Sequence, residues 1–103
     1  MTAPYNKGDF APLLTIDDEV LSVGATSVVL TGASGAKAAF VQVQVAPVRS
    51  RIGSGATWGA DPTATVGRLW NVGDAFVVWG NDILTTEFIA TGATASLFVE
   101  YVR

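Results

Sequence analysis

The sequence predicts an all-β fold: a single-domain antiparallel β-sandwich, jelly-roll-like, with about eight short strands. Three observations predict it. Val, Thr, Ile, Phe, Trp and Tyr recur along the chain and are interrupted at short intervals by Gly, Asn, Asp and Pro, as in short strands joined by tight turns. No window carries a sustained apolar repeat at i, i+3, i+4 and i+7, so no amphipathic helix is expected. At 103 residues, the chain has room for one core that buries about two thirds of its unfolded surface without staples.

In chain order, residues 1–12 are expected to form an extended N-terminal arm. Pro4, Gly8 and Pro12 disfavour regular structure there, while Tyr5 and Phe10 supply apolar anchors. The sandwich domain then occupies residues 13–103. Strands are expected near Leu13–Ile16, Val20–Val23, Ser27–Thr31, Ala38–Ala46 and Val48–Gly53. Others follow near Arg68–Asn71, Ala75–Trp79, Leu84–Ala90 and Ala95–Val102.

Side-chain parity assigns the faces. Val41, Val43 and Val45 fall on one side of their strand, with Gln42 and Gln44 opposite, whereas in the next strand the inward set is Val48, Ser50 and Ile52, with Arg49 and Arg51 opposite. The period along a strand is two, so this change of phase needs a break. Pro47 stands at the break and predicts a bulge or a strand that changes sheets. Leu84, Thr86, Phe88 and Ala90 form one face of a late strand, and Leu97, Val99 and Tyr101 the core face of the last. Ala75-Phe76-Val77-Val78-Trp79 is apolar on both faces, which predicts a central covered strand or one that meets another subunit.

Turn chemistry fills the gaps. Gly32–Gly35 is expected to close a hairpin, and Val72-Gly73-Asp74 and Gly80-Asn81-Asp82 are tight turns. A longer Gly-, Ala- and Thr-rich loop carrying Trp58 lies between Gly53 and Gly67. Gly-Ala-Thr recurs at residues 24–26, 55–57 and 92–94, which reads as reused turn chemistry.

Composition then removes functions. There is no His and no Cys, so triads, dithiol redox chemistry and zinc sites lack their usual groups. No enzymatic activity, cofactor or metal is expected. The formal net charge of −3 argues against nucleic acid as a partner. No apolar run approaches the ~20 residues that cross a bilayer, so no membrane partner is expected, and the first ten residues do not read as a secretory signal. Only 15% of residues are charged and 50% are apolar, which predicts surface reserved for protein neighbours.

Individual motifs add little chemistry. Asp17-Asp18-Glu19 reads as a solvated turn, since adjacent residues of a strand cannot converge on one cation. Gly32-Ala33-Ser34-Gly35-Ala36-Lys37 lacks the spacing, the hydroxyl and the following helix of a phosphate loop. Arg49, Arg51 and Arg68 are expected to pair within the fold or across a subunit boundary. Trp70 and Trp79 are expected in the core, and Trp58 on its loop as an interface residue.

The segment from Ala39 onward carries a resemblance. Val41, Val43 and Val45 lead to Arg49-Ser50-Arg51-Ile52, then a Gly-rich loop and Asp61-Pro62-Thr63-Ala64-Thr65-Val66-Gly67. A hairpin through Gly73-Asp74, then Glu87-Phe88-Ile89-Ala90 and Thr94-Ala95-Ser96-Leu97-Phe98-Val99-Glu100-Tyr101 complete it. This order resembles small all-β structural proteins of tailed-bacteriophage virions. The resemblance covers about two thirds of the chain, as counted on those residues. It implies a capsid cement or decoration subunit, frequently trimeric, or a part of the tail tip or fibres, made in the host cytoplasm and located in the virion. The partners expected on this basis are the major capsid protein or other virion proteins, and further copies of the chain. Composition, not the resemblance, nominates Tyr5, Phe10, Leu13 and Leu14 of the arm and Trp58 as partner contacts. A tail- or fibre-associated module that binds carbohydrate through its loops is the alternative.

Overall fold

The computed structural model describes residues 14–53 and 59–103. These residues form eight strands: β1 (Thr15–Val23), β2 (Val28–Val29), β3 (Ala38–Gln44), β4 (Val48–Ile52), β5 (Arg68–Trp70), β6 (Ala75–Trp79), β7 (Thr86–Ala90) and β8 (Ala95–Val102). A 3-10 turn, Gly80–Asp82, follows β6. One sheet, A, has the order β1-β8-β3-β6 and the other, B, the order β2-β7-β4-β5, with every neighbour antiparallel. The chain crosses between sheets at every connection except β4–β5. That is the jelly-roll order the sequence predicts. It also corrects two details: the Gly32–Gly35 and Gly73-Asp74 turns link one sheet to the other and close no hairpin.

The core lies between the sheets and follows parity. Val41 and Val43 of β3, Val48 of β4, Phe88 of β7, and Leu97, Val99 and Tyr101 of β8 are all buried. Each such apolar side chain contributes about 1.5–3 kcal/mol by leaving water. Trp70 stacks on Phe76 with ring centroids 4.0 Å apart, and its indole N–H donates to Ser50 Oγ at 2.8 Å. The one buried polar side chain among the described residues is thereby partnered.

The break at Pro47 is a sheet change, with β3 in sheet A and β4 in sheet B. Val45 does not continue the inward face of β3. It turns outward at φ 76° and is 75% exposed, and the Ala46 N–H donates to the Gln44 carbonyl across it at 2.9 Å. A bond spanning two residues around a positive φ is the rarer, strained form of the γ-turn, and unusual for a β-branched residue. The phase change is thus made at Val45, one residue before Ala46 and two before Pro47. Ile52 likewise leaves the inward set, because β4 runs out of covering layer there.

Three further expectations are corrected. Residues 13–16 and 20–23 were expected as two strands around an acidic turn, but Thr15–Val23 is one strand, irregular in register between Thr15 and Asp17. The carboxylates of Asp17, Asp18 and Glu19 therefore stand on a sheet edge, not in a turn. Ala75–Trp79 is not central: β6 is the outer strand of sheet A, with Trp79 at its exposed end. Its double apolarity has another cause, since the outer side of this sheet is also packed. Leu84, expected on a strand, lies exposed in the turn before β7.

Candidate interaction surfaces

Of the nominated contact residues, Tyr5, Phe10, Leu13 and Trp58 lie outside the described residues, as does the whole arm, 1–12. Leu14 is described. It is 68% exposed and pairs with Arg103 through both backbone bonds, N–H to carbonyl at 2.7 Å and back at 3.0 Å. This pair extends the β1–β8 ladder of sheet A by one rung.

The outer face of sheet A is divided. Ala38, Phe40 and Val102 point away from the core, yet Phe40 is 2% exposed and all three form a second buried cluster with Val77 packed on it. Further along, Val20 of β1 lies directly opposite Phe98 of β8, and these two are 68% and 36% exposed. Gln42, opposite Phe98 on the other side, accepts from the Gln44 side-chain amide at 3.3 Å. On the same outer face this apolar pair is followed by Asp18 opposite Glu100 on one side and Ser22 opposite Ser96 on the other, so it is a small apolar contact set in a polar strand face.

The two ends of the sandwich differ in charge. The connections β1–β2, β3–β4, β5–β6 and β7–β8 (residues 24–27, 45–47, 71–74 and 91–94) gather at one end. The Ala90 N–H donates to the Gly24 carbonyl and Gly73 N–H to the Val43 carbonyl, which ties them together. These connections carry one charged side chain, Asp74, whose carboxylate accepts from the Asn71 N–H at 2.7 Å. Val45 and Val72 are exposed there. Two of the three Gly-Ala-Thr repeats, at 24–26 and 92–94, lie in this end. At the opposite end, the described residues include Lys37, Asp82 and Arg103.

The other motifs resolve into structural roles. Glu19 accepts from the Thr31 N–H at 3.0 Å and the Thr31 hydroxyl at 2.8 Å, and also from the Tyr101 phenol. Tyr101 in turn accepts from the Gly32 N–H at 2.9 Å. Burial first, and then its bond to Glu19, raise the Tyr101 pKa far above its ordinary value, against the smaller lowering by Gly32. Arg49 donates to the Ala64 and Gly67 carbonyls at 3.1 and 2.9 Å, fastening the β4–β5 loop over sheet B. Arg68 lies 4.7 Å from the Trp70 ring centroid. Among the described residues, no group of three acids is placed to hold a metal ion.

Clefts indent the surface between described residues. One of about 350 Å³ is lined by residues 31–36 with Gly80, Ile83 and Leu84. Another, of about 360 Å³, lies between the β4–β5 loop and the β7–β8 connection. A third of about 150 Å³ brings Trp79, Asp82, Ser50 and Thr86 together at the open β5–β6 side. Trp79, expected in the core, is 53% exposed there. Parity did not reveal this, because the strand's position in the sheet decides it. No family model, curated protein or solved structure matches the chain.

Proposed function

We propose that the chain is a non-enzymatic structural protein of a tailed-phage virion, a cement or decoration subunit that binds the shell surface and stabilises it. The observation that carries this reading is the exposed Val20–Phe98 pair on sheet A, the sheet whose β1–β8 ladder Leu14 extends. An exposed apolar cross-strand pair suits a subunit that bridges two neighbouring shell proteins. Each Å² of apolar surface removed from water adds about 25 cal/mol to that bridge. The jelly roll is compatible with this role, but the fold is shared by capsid proteins, lectins and many enzymes, so fold alone does not select it.

The test is co-sedimentation of the purified chain with shells prepared without it. Removal of residues 1–12, or Phe98→Asp, should leave the far-ultraviolet circular dichroism unchanged and weaken attachment at least tenfold, the equivalent of about 1.4 kcal/mol. Equal attachment by both variants would overturn the assignment.

The half-exposed Trp79 beside Asp82 and Thr86 favours a second reading, a host-recognition module that takes carbohydrate on an aromatic ring with polar groups alongside. It requires a shift in tryptophan fluorescence on titration with host glycans, lost in Trp79→Ala. A flat response across a broad panel refutes it.

A further inference from the structure

We infer that the charge-poor end of the sandwich, built around Val45, is where copies of this chain meet each other. The inference rests on the reading of the chain as a subunit of an assembly, but not on which assembly. Each copy carries a formal net charge of −3, so copies repel one another at long range, and a contact face with few charges adds least to that repulsion. At a rotation axis the restriction is sharper, because a side chain near the axis faces its own counterparts and any charge there meets a like charge. The end formed by residues 24–27, 45–47, 71–74 and 91–94 meets that condition. Its one carboxylate, Asp74, is turned back onto the Asn71 N–H of its own loop.

The chemistry of this end also suits a second copy. Gly24, Ala25, Gly73, Gly92 and Ala93 are small and permit close approach of backbones. Val45 and Val72 rise among them as exposed apolar contacts. Val45 holds a positive φ of 76°, where Gly or Asn would relieve strain. An exposed β-branched side chain in that conformation does nothing for the isolated fold. It is accounted for if the side chain is buried when copies associate.

The experiment is sedimentation velocity on the full chain over a range of concentration, at low and high salt. The unmodified chain should self-associate, and added salt should leave the association constant unchanged or raise it, since no ion pair is screened. Val45→Asp should weaken self-association about a hundredfold or more, because it buries a carboxylate against its own copies. Asp tolerates positive φ better than Val, so this variant should keep the monomer fold, as circular dichroism will check. Ser34→Asp adds the same charge at the opposite end and should change association little. A wholly monomeric wild-type chain, or equal association by the Val45→Asp and Ser34→Asp variants, overturns the inference. Shell binding is measured separately: self-association through Val45 without attachment to shells would refute the cement reading and support this one.

Discussion

The Tyr101 phenol donates to the Glu19 carboxylate across sheet A, joining the last strand to the first. The same oxygen accepts the Gly32 N–H from the connection that leaves β2, so one side chain closes the sandwich along the β1 edge. Tyr101→Phe keeps the ring and its packing but leaves the Gly32 donor without this acceptor. The expected cost is about 2 kcal/mol, read as a lower urea midpoint with an unchanged slope.

A pH dependence follows from the same group. The pKa of Tyr101 is raised in the folded chain, so the unfolded chain releases that proton first. The contribution is complete below the unfolded value of about 10 and is lost progressively as pH rises above it, toward the folded value. Urea unfolding between pH 9 and about 11 should show this decline in the wild type and a shallower one in Tyr101→Phe.

Phe40 points outward but is packed like a core residue. Phe40→Ala should therefore cost about 3 kcal/mol or more, comparable with Phe88→Ala in the central core. Phe98→Ala, two residues further along the same outer face, should cost well under half of that. Equal midpoints for the two outer-face variants would refute the division of this face.

At Val45, removing the side chain should help the monomer. Val45→Gly relieves a strained φ but adds freedom to the unfolded chain, for a net gain of about 0.5–1 kcal/mol. The same variant should associate less. A gain in thermal stability at low concentration together with a loss in sedimentation would separate the two effects.

Trp70 depends on Ser50 for its indole partner. Ser50→Ala should cost about 1 kcal/mol and change tryptophan emission, while Ser50→Thr should recover part of the loss if its methyl group is accommodated.

The physics that made parts of this fold legible is local. Alternation placed Val41, Val43, Leu97, Val99 and Tyr101 in the core, and the phase break at Pro47 marked the sheet change. What was not legible depends on residues distant in sequence. Asp17-Asp18-Glu19 looks like a turn until Thr31 and Tyr101, the latter 82 positions away from Glu19, supply it with donors. Ala75–Trp79 looks central because alternation records how many faces are apolar, not whether a neighbour strand exists. Val45 followed the parity of Val41 and Val43, and only the backbone reversal exposes it. The charge contrast between the two ends was present in the sequence all along, but dispersed over four connections that only the jelly-roll crossing brings together.

The pairing of β1 with β8 also has a consequence for synthesis. Among the described residues, strand β1 has no partner in its sheet besides β8, and its ladder is extended by the rung between Leu14 and Arg103. During translation β1 must wait for this pairing until β8 has been synthesised. Folding is then dominated by contacts of long sequence separation and is correspondingly slow. The acids Asp17, Asp18 and Glu19 keep that waiting strand charged, a safeguard against pairing with the nascent chains of neighbouring ribosomes.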